Sequence, residues 1–146
     1  MKRVIIFDVS VRVIFPALLA GSVYLLLAGH NQPGGGFVGG IVAGAAIALR
    51  YVAGGTHEVR SLSRAHPWTV LGSGLLLAAV TAVAPLFVGG EVLEAASVDL
   101  DIPVLGAVKA GSTLLFDIGV YLVVVGLVLM VFESFGDDPE TEAEAS

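Results

Sequence analysis

Asp117 is the residue in this chain best placed to do chemistry. It stands between Phe116 and Ile118, and the next charged residue along the chain is Glu133. A carboxylate inside so apolar a run is costly, must face protein or water, and marks a functional position by default, since it could take up and release a proton. The plainer alternative is a carboxylate one or two turns from a surface, accepting hydrogen bonds from a neighbouring helix. Asp8 and Arg12 are four residues apart, so on a helix they share a face and can pair, either along an ion path or as an interfacial anchor. His30 stands in a short polar turn, where it could titrate near neutral pH or serve as a hydrogen-bonded structural residue. Glu133 sits at the exit of the last apolar run. These five residues, Asp117, Asp8, Arg12, His30 and Glu133, are the candidates for an ion path. His57 and His66 are too scattered for a metal site, and with no cysteine in the chain there is no disulfide, thiolate zinc site or iron–sulfur centre. No metalloprotease, serine-hydrolase or phosphate-loop pattern occurs. The expectation is no catalytic residue, no metal and no cofactor.

The elements that must hold these residues are membrane spans. The chain has 146 residues, 56% hydrophobic and 14% charged, where a soluble domain carries about 25% charged residues. Four apolar runs, about 4–28, 36–53, 68–88 and 112–135, are each long enough for a hydrocarbon core of about 30 Å. The predicted fold is therefore an all-α integral membrane protein with four transmembrane helices. Pro16 should kink the first helix. Together with Asp8 and Arg12 it spoils the apolar region that a cleaved leader would need. Pro67 and Trp68 suit a helix start at the membrane surface, Ser112 suits a cap, and Gly136 suits a stop. A polar loop is expected from Gly54 to Pro67. The connection from Glu91 to Gly111 should be a surface loop or a short interfacial helix. Residues 1–135 form the folded body. The tail, 136–146, holds five of the thirteen acids and should be disordered. Without those five the body is nearly neutral, with no basic patch for nucleic acid.

Lys2, Arg3, Arg60 and Arg64 fall on one side of a four-span topology, whereas the first connection has no basic residue and the third has Lys109 alone. The positive-inside rule then puts both termini in the cytoplasm.

The stretch Gly29-His30-Asn31-Gln32-Pro33-Gly34-Gly35-Gly36-Phe37-Val38-Gly39-Gly40 joins the first two spans. Proline followed by three glycines cannot hold an isolated helix start. Such backbone persists at a membrane surface only where protein covers it or water satisfies it. Gly36, Gly40, Gly44 and Ala48 recur every four residues, a small-residue face that lets another backbone come close. The cluster lacks the strand–turn–helix setting of a dinucleotide site. The expectation is that this face packs against a neighbouring subunit or helix. A short chain with one convincing intramembrane acid and a glycine break near its edge is better suited to be a subunit of something larger than an ion carrier by itself.

That stretch resembles the signature of the MnhB/MrpB family. The run from Thr113 to Gly126, TLLFDIGVYLVVVG, resembles the family's last helix, and Arg12 followed by Pro16 resembles its first. The resemblance covers roughly Asp8 to Phe132. It implies the B subunit of an Mrp-type multisubunit sodium or potassium/proton antiporter in a bacterial or archaeal cytoplasmic membrane. The implied partners are the large A and D and the small C, E, F and G subunits, with membrane lipid around them and Na+ or K+ and H+ as the transported ions. Such a component is a transporter part and not an enzyme. The resemblance singles out Pro33 and Phe37 as functionally sensitive, beside the packing positions Gly34, Gly35, Gly36, Gly40 and Gly44. The alternatives are the equivalent component of a membrane-bound hydrogenase-type ion pump and a self-assembling membrane scaffold.

Overall fold

The structure is a computed structural model that describes residues 5–29, 35–62, 65–88, 97–102 and 106–135. Helix α1 is Ile5–Ala28, α2 is Gly35–Leu62, α3 is Pro67–Val83 and α4 is Ser112–Ser134. Strands β1 (Ser97–Ile102) and β2 (Gly106–Gly111) lie between α3 and α4. All four helices are long and apolar enough to cross a membrane, so the architecture is that of a four-helix integral membrane protein, as the apolar runs predict. Pro16 lies inside α1 without ending it. The cap expected at Ser112 is instead the first residue of α4.

The helices pack in the spatial order α1, α2, α4, α3, with only a narrow contact between α1 and α4. Within the spans, 39% of α2 is buried against 17% of each of the other three. α2 is therefore the most buried of the four helices, and it is the helix richest in small residues. The remaining faces are apolar and point outward, as expected where the solvent is lipid. Trp68, at the start of α3, is 70% exposed and suits the water–lipid boundary.

Two connections differ from expectation. The polar loop predicted from Gly54 is helical as far as Leu62, after a break at Gly55, whose φ of 70° and ψ of −163° no helix contains. The turn after Gly55 folds back on the bundle because Val59 and Leu62, three residues apart, share an apolar face. Val59, 1% exposed, joins Ile47 and Leu129 in a core that Tyr51, Val125, Val128 and Phe132 complete. The connection expected as a surface loop or interfacial helix instead holds an antiparallel hairpin, which pairs Asp99 with Lys109 and Leu100 with Val108. Its first strand reads Val-Asp-Leu-Asp-Ile, the apolar–polar alternation of a strand and not of a helix.

Candidate functional site

The two sequence features of greatest interest meet at one end of the bundle. Gly29 at the end of α1 lies against the Gly35 backbone at the start of α2, and Gly36 lies against the Asp117 backbone in α4. A Cβ on Gly36 would collide with the Asp117 carbonyl oxygen, and its next contacts are the Asp117 carbonyl carbon and Cα at 2.8 Å. Asp117 is half-buried, five residues into α4 and so about 7–8 Å along the axis from Ser112. His30, Pro33 and Gly34 lie outside the described residues. Phe37, just past the glycines, is 55% exposed and faces away from the bundle.

From this turn end α2 carries two glycine faces. Gly40 sits on Val124, with a hypothetical Cβ 2.8 Å from the valine Cβ, and Gly44 sits on Val128, with the closest methyl at 3.0 Å. Gly39 faces α1, where a Cβ would stand 2.8 Å from the Ser22 carbonyl oxygen. The small-residue face expected to meet a neighbouring subunit or helix therefore meets α4 of the same chain. The physical reason is local: α4 offers valines at the spacing that fills the gaps left by Gly40 and Gly44. α4 is held on its other side in the same way, by Gly74, Gly119 and Gly126 against α3, where added Cβ atoms would approach within 2.6–2.7 Å of a neighbour. Those three glycines were not singled out from the sequence, although Gly119 and Gly126 are seven residues apart and so share a helix face.

Hydroxyl groups on the described residues lie toward the same end. Tyr121, one turn further along α4, lies with its hydroxyl 3.1 Å from Ser22 Oγ in α1. A cleft of about 250 Å³ between the ends of α3 and α4 is lined by Thr81, Ser112, Thr113 and Phe116. Buried Thr81 donates its hydroxyl proton to the Leu77 carbonyl at 2.6 Å, which leaves its oxygen able to accept a bond from the cleft. Neither Ser22, Tyr121 nor Thr81 was expected from sequence, because serine, threonine and tyrosine in a span carry no charge to advertise them.

The other candidates are not brought to this site. Arg12 is exposed on α1, the Asp8 side chain lies outside the described residues, and Glu133 is half-buried at the far end of α4. That far end has its own cluster, whose pairing the sequence does not show: Arg50 donates to Glu58 Oε2 at 2.8 Å, and its guanidinium carbon lies 4.7 Å from the Phe15 ring centroid. Tyr51 and Phe132 stack nearby, with ring centroids 4.7 Å apart. Among the described residues no group of three His, Asp or Glu could hold a metal ion.

Comparison with known proteins places the chain in a family. Residues 6–130 match the family model described as a domain related to the MnhB subunit of Na+/H+ antiporter. The chain is 37% identical to the B subunit of the Na(+)/H(+) antiporter of Bacillus subtilis (strain 168), over 92% of this chain and 94% of that protein. It is 36% identical to a probable A/B subunit of a K(+)/H(+) antiporter of Rhizobium meliloti (strain 1021), over 84% of this chain but 12% of that protein. Among solved structures it resembles part of the Mrp complex from Dietzia sp. DQ12-45-1b, with a TM-score of 0.76 and 31% identity, over 92% of this chain and 15% of that one. Matched by the family model along most of its length, and nearly from end to end by the B component of a bacterial antiporter, the chain belongs to the MnhB family.

Proposed function

We propose that this protein is the B subunit of a multisubunit monovalent cation/proton antiporter. In this reading it is a small multi-pass component that assembles with large A and D and small C, E, F and G partners and helps form the ion passage. One observation carries the proposal: an end-to-end match to an antiporter component of that kind. The geometry supports it. Gly29, Gly35, Gly36 and Asp117 converge on one end of a bundle whose outward faces are apolar, so the chain places an acid at the edge of a lipid-facing body. In this reading Asp117 is the intramembrane acid of the path. Arg12, Arg50 and Arg60 gather at the opposite end, where α1 begins and α4 ends, and that basic end is cytoplasmic by the positive-inside rule. The turn and the hairpin then face outward. Relatives carry both Na(+)/H(+) and K(+)/H(+) in their names, so sodium and potassium are both candidate cations.

The test is exchange in membrane vesicles from a host lacking its own antiporters, in which the partner subunits are expressed with or without this chain. Exchange is expected only with the chain present, and Asp117→Asn should lower it at least tenfold while the complex still assembles. Asp117→Glu should retain more activity. Cation/proton exchange by the chain alone in liposomes would overturn the subunit reading. Normal exchange by an assembled Asp117→Asn complex would remove Asp117 from the path and leave the subunit reading standing.

A further inference from the structure

Tyr121 and Ser22 form a polar tie between two helices that otherwise scarcely touch. Ser22 is fully buried, at 0% exposure, and donates its proton to the Leu19 carbonyl at 2.8 Å. With that proton committed, its oxygen is an acceptor and the Tyr121 hydroxyl, 3.1 Å away, is the donor. The bond reaches from α4 to α1 past α2, which lies between them. Gly39 makes the reach possible, because any side chain there would push against the Ser22 carbonyl and Leu26.

We infer that Tyr121 is a positioning residue for Asp117, the candidate acid of the ion path. The two are four residues apart on α4, on the same face and about 6 Å apart along the axis. Apart from the Tyr121 hydroxyl, α4 is apolar all round from Val120 to Phe132. In lipid no hydrophobic drive selects one rotation of such a helix; packing and interhelical hydrogen bonds must do so. The glycine contacts set how closely α4 approaches α2 and α3. The Tyr121–Ser22 bond adds a directional constraint one turn from the acid, in a layer where an unpaired hydroxyl is costly. It fixes the roll of α4 against α1, and with it the direction in which the Asp117 carboxyl leaves the helix.

This inference rests on the proposed place of Asp117 in the path, and the experiment separates the two. Exchange is measured in vesicles holding the whole complex, with assembled complex quantified in each variant. Tyr121→Phe and Ser22→Ala should each assemble normally and raise the half-saturating cation concentration several-fold while the maximal rate changes little. The double variant should do no worse than either single one. In an Asp117→Asn background, adding Tyr121→Phe should change nothing further. A Tyr121→Phe complex with wild-type cation dependence would overturn the inference even if Asp117→Asn is defective, and so would a further loss on top of Asp117→Asn. Should Tyr121→Phe fail to assemble, Ser22→Ala, smaller by one oxygen, decides by the same criteria. Normal exchange by Asp117→Asn would defeat the underlying reading and this inference with it.

Discussion

Around α2 the two ends of the bundle are held together by opposite means. At the turn end, contact is made by what is missing: Gly29 on Gly35, and Gly36 on the Asp117 carbonyl, bring backbone against backbone. At the basic end, contact is made by long side chains: Arg50 spans to Glu58 and lies over Phe15, while Tyr51 stacks on Phe132. Backbone contacts of the first kind have nothing that can move aside, whereas flexible side chains can adjust to a change. The end that carries the candidate site is therefore the brittle one, and the end that faces the basic loops is the tolerant one.

The sharpest way to break that comparison is a graded series along one face of α2. Gly36→Ala places a methyl on the Asp117 backbone and should cost about 3 kcal/mol or more, at the upper end of overpacking effects, with assembled complex lost from the membrane. Gly40→Ala meets the Val124 side chain, with approaches of 2.8 and 3.0 Å, and should cost about 1–2 kcal/mol. Gly44→Ala meets one Val128 methyl at 3.0 Å, which a small rotation relieves, and should cost about 1 kcal/mol or less. Gly21, with nothing within 4 Å of its hypothetical Cβ, is the control. Its change to Ala should be neutral or stabilising by up to about 1 kcal/mol, the helix-propensity difference. Thermal unfolding in mild detergent orders the four, and equal losses at Gly36 and Gly44 would refute the distinction between backbone and side-chain neighbours.

A second substitution tests the basic end at its least tolerant point. Gly55 has a φ of 70° and a ψ of −163°, a region open essentially to glycine alone. Gly55→Ala should therefore cost about 1–3 kcal/mol, although nothing crowds its hypothetical Cβ. The expected loss is local: the segment to Leu62 should detach, Val59 should lose its burial, and amide exchange there should rise while α4 stays protected.

What the sequence disclosed follows the same division. The four spans were legible because lipid demands long apolar runs, and Asp117 because a charge in such a run is conspicuous. Gly36, Gly40 and Gly44 were legible as a packing face, but their partner was left open between another subunit and another helix. A small-residue stripe says that a backbone comes close without saying whose, and Val124 and Val128 carry no mark that distinguishes them from lipid-facing valines. The helix beyond Gly55 was hidden by its polar residues, although Val59 and Leu62 held the helical spacing. The hairpin was hidden by reading Asp99 and Asp101 as loop acids when they alternate with Val98, Leu100 and Ile102. Ser22 and Tyr121 were missed because a pairing across ninety-nine positions leaves no trace in a single sequence.

The smallest expected effect sharpens the comparison from the tolerant side. Arg50 and Glu58 are each about one-third exposed, at 34% and 30%, so water screens their attraction and the pair should contribute about 0.5–1 kcal/mol. Glu58→Gln keeps the shape and a hydrogen-bond acceptor while removing the charge, and Arg50 keeps its place over Phe15, a contact of about the same size. The variant should therefore unfold within about 2–4 °C of the wild type, and added salt should narrow the gap, because salt weakens the native pair and cannot weaken the neutral one. A loss as large as that of Gly36→Ala, unaffected by salt, would mean that the basic end is held by this ion pair as rigidly as the turn end is held by its glycines. The contrast between a brittle and a tolerant end would then fail.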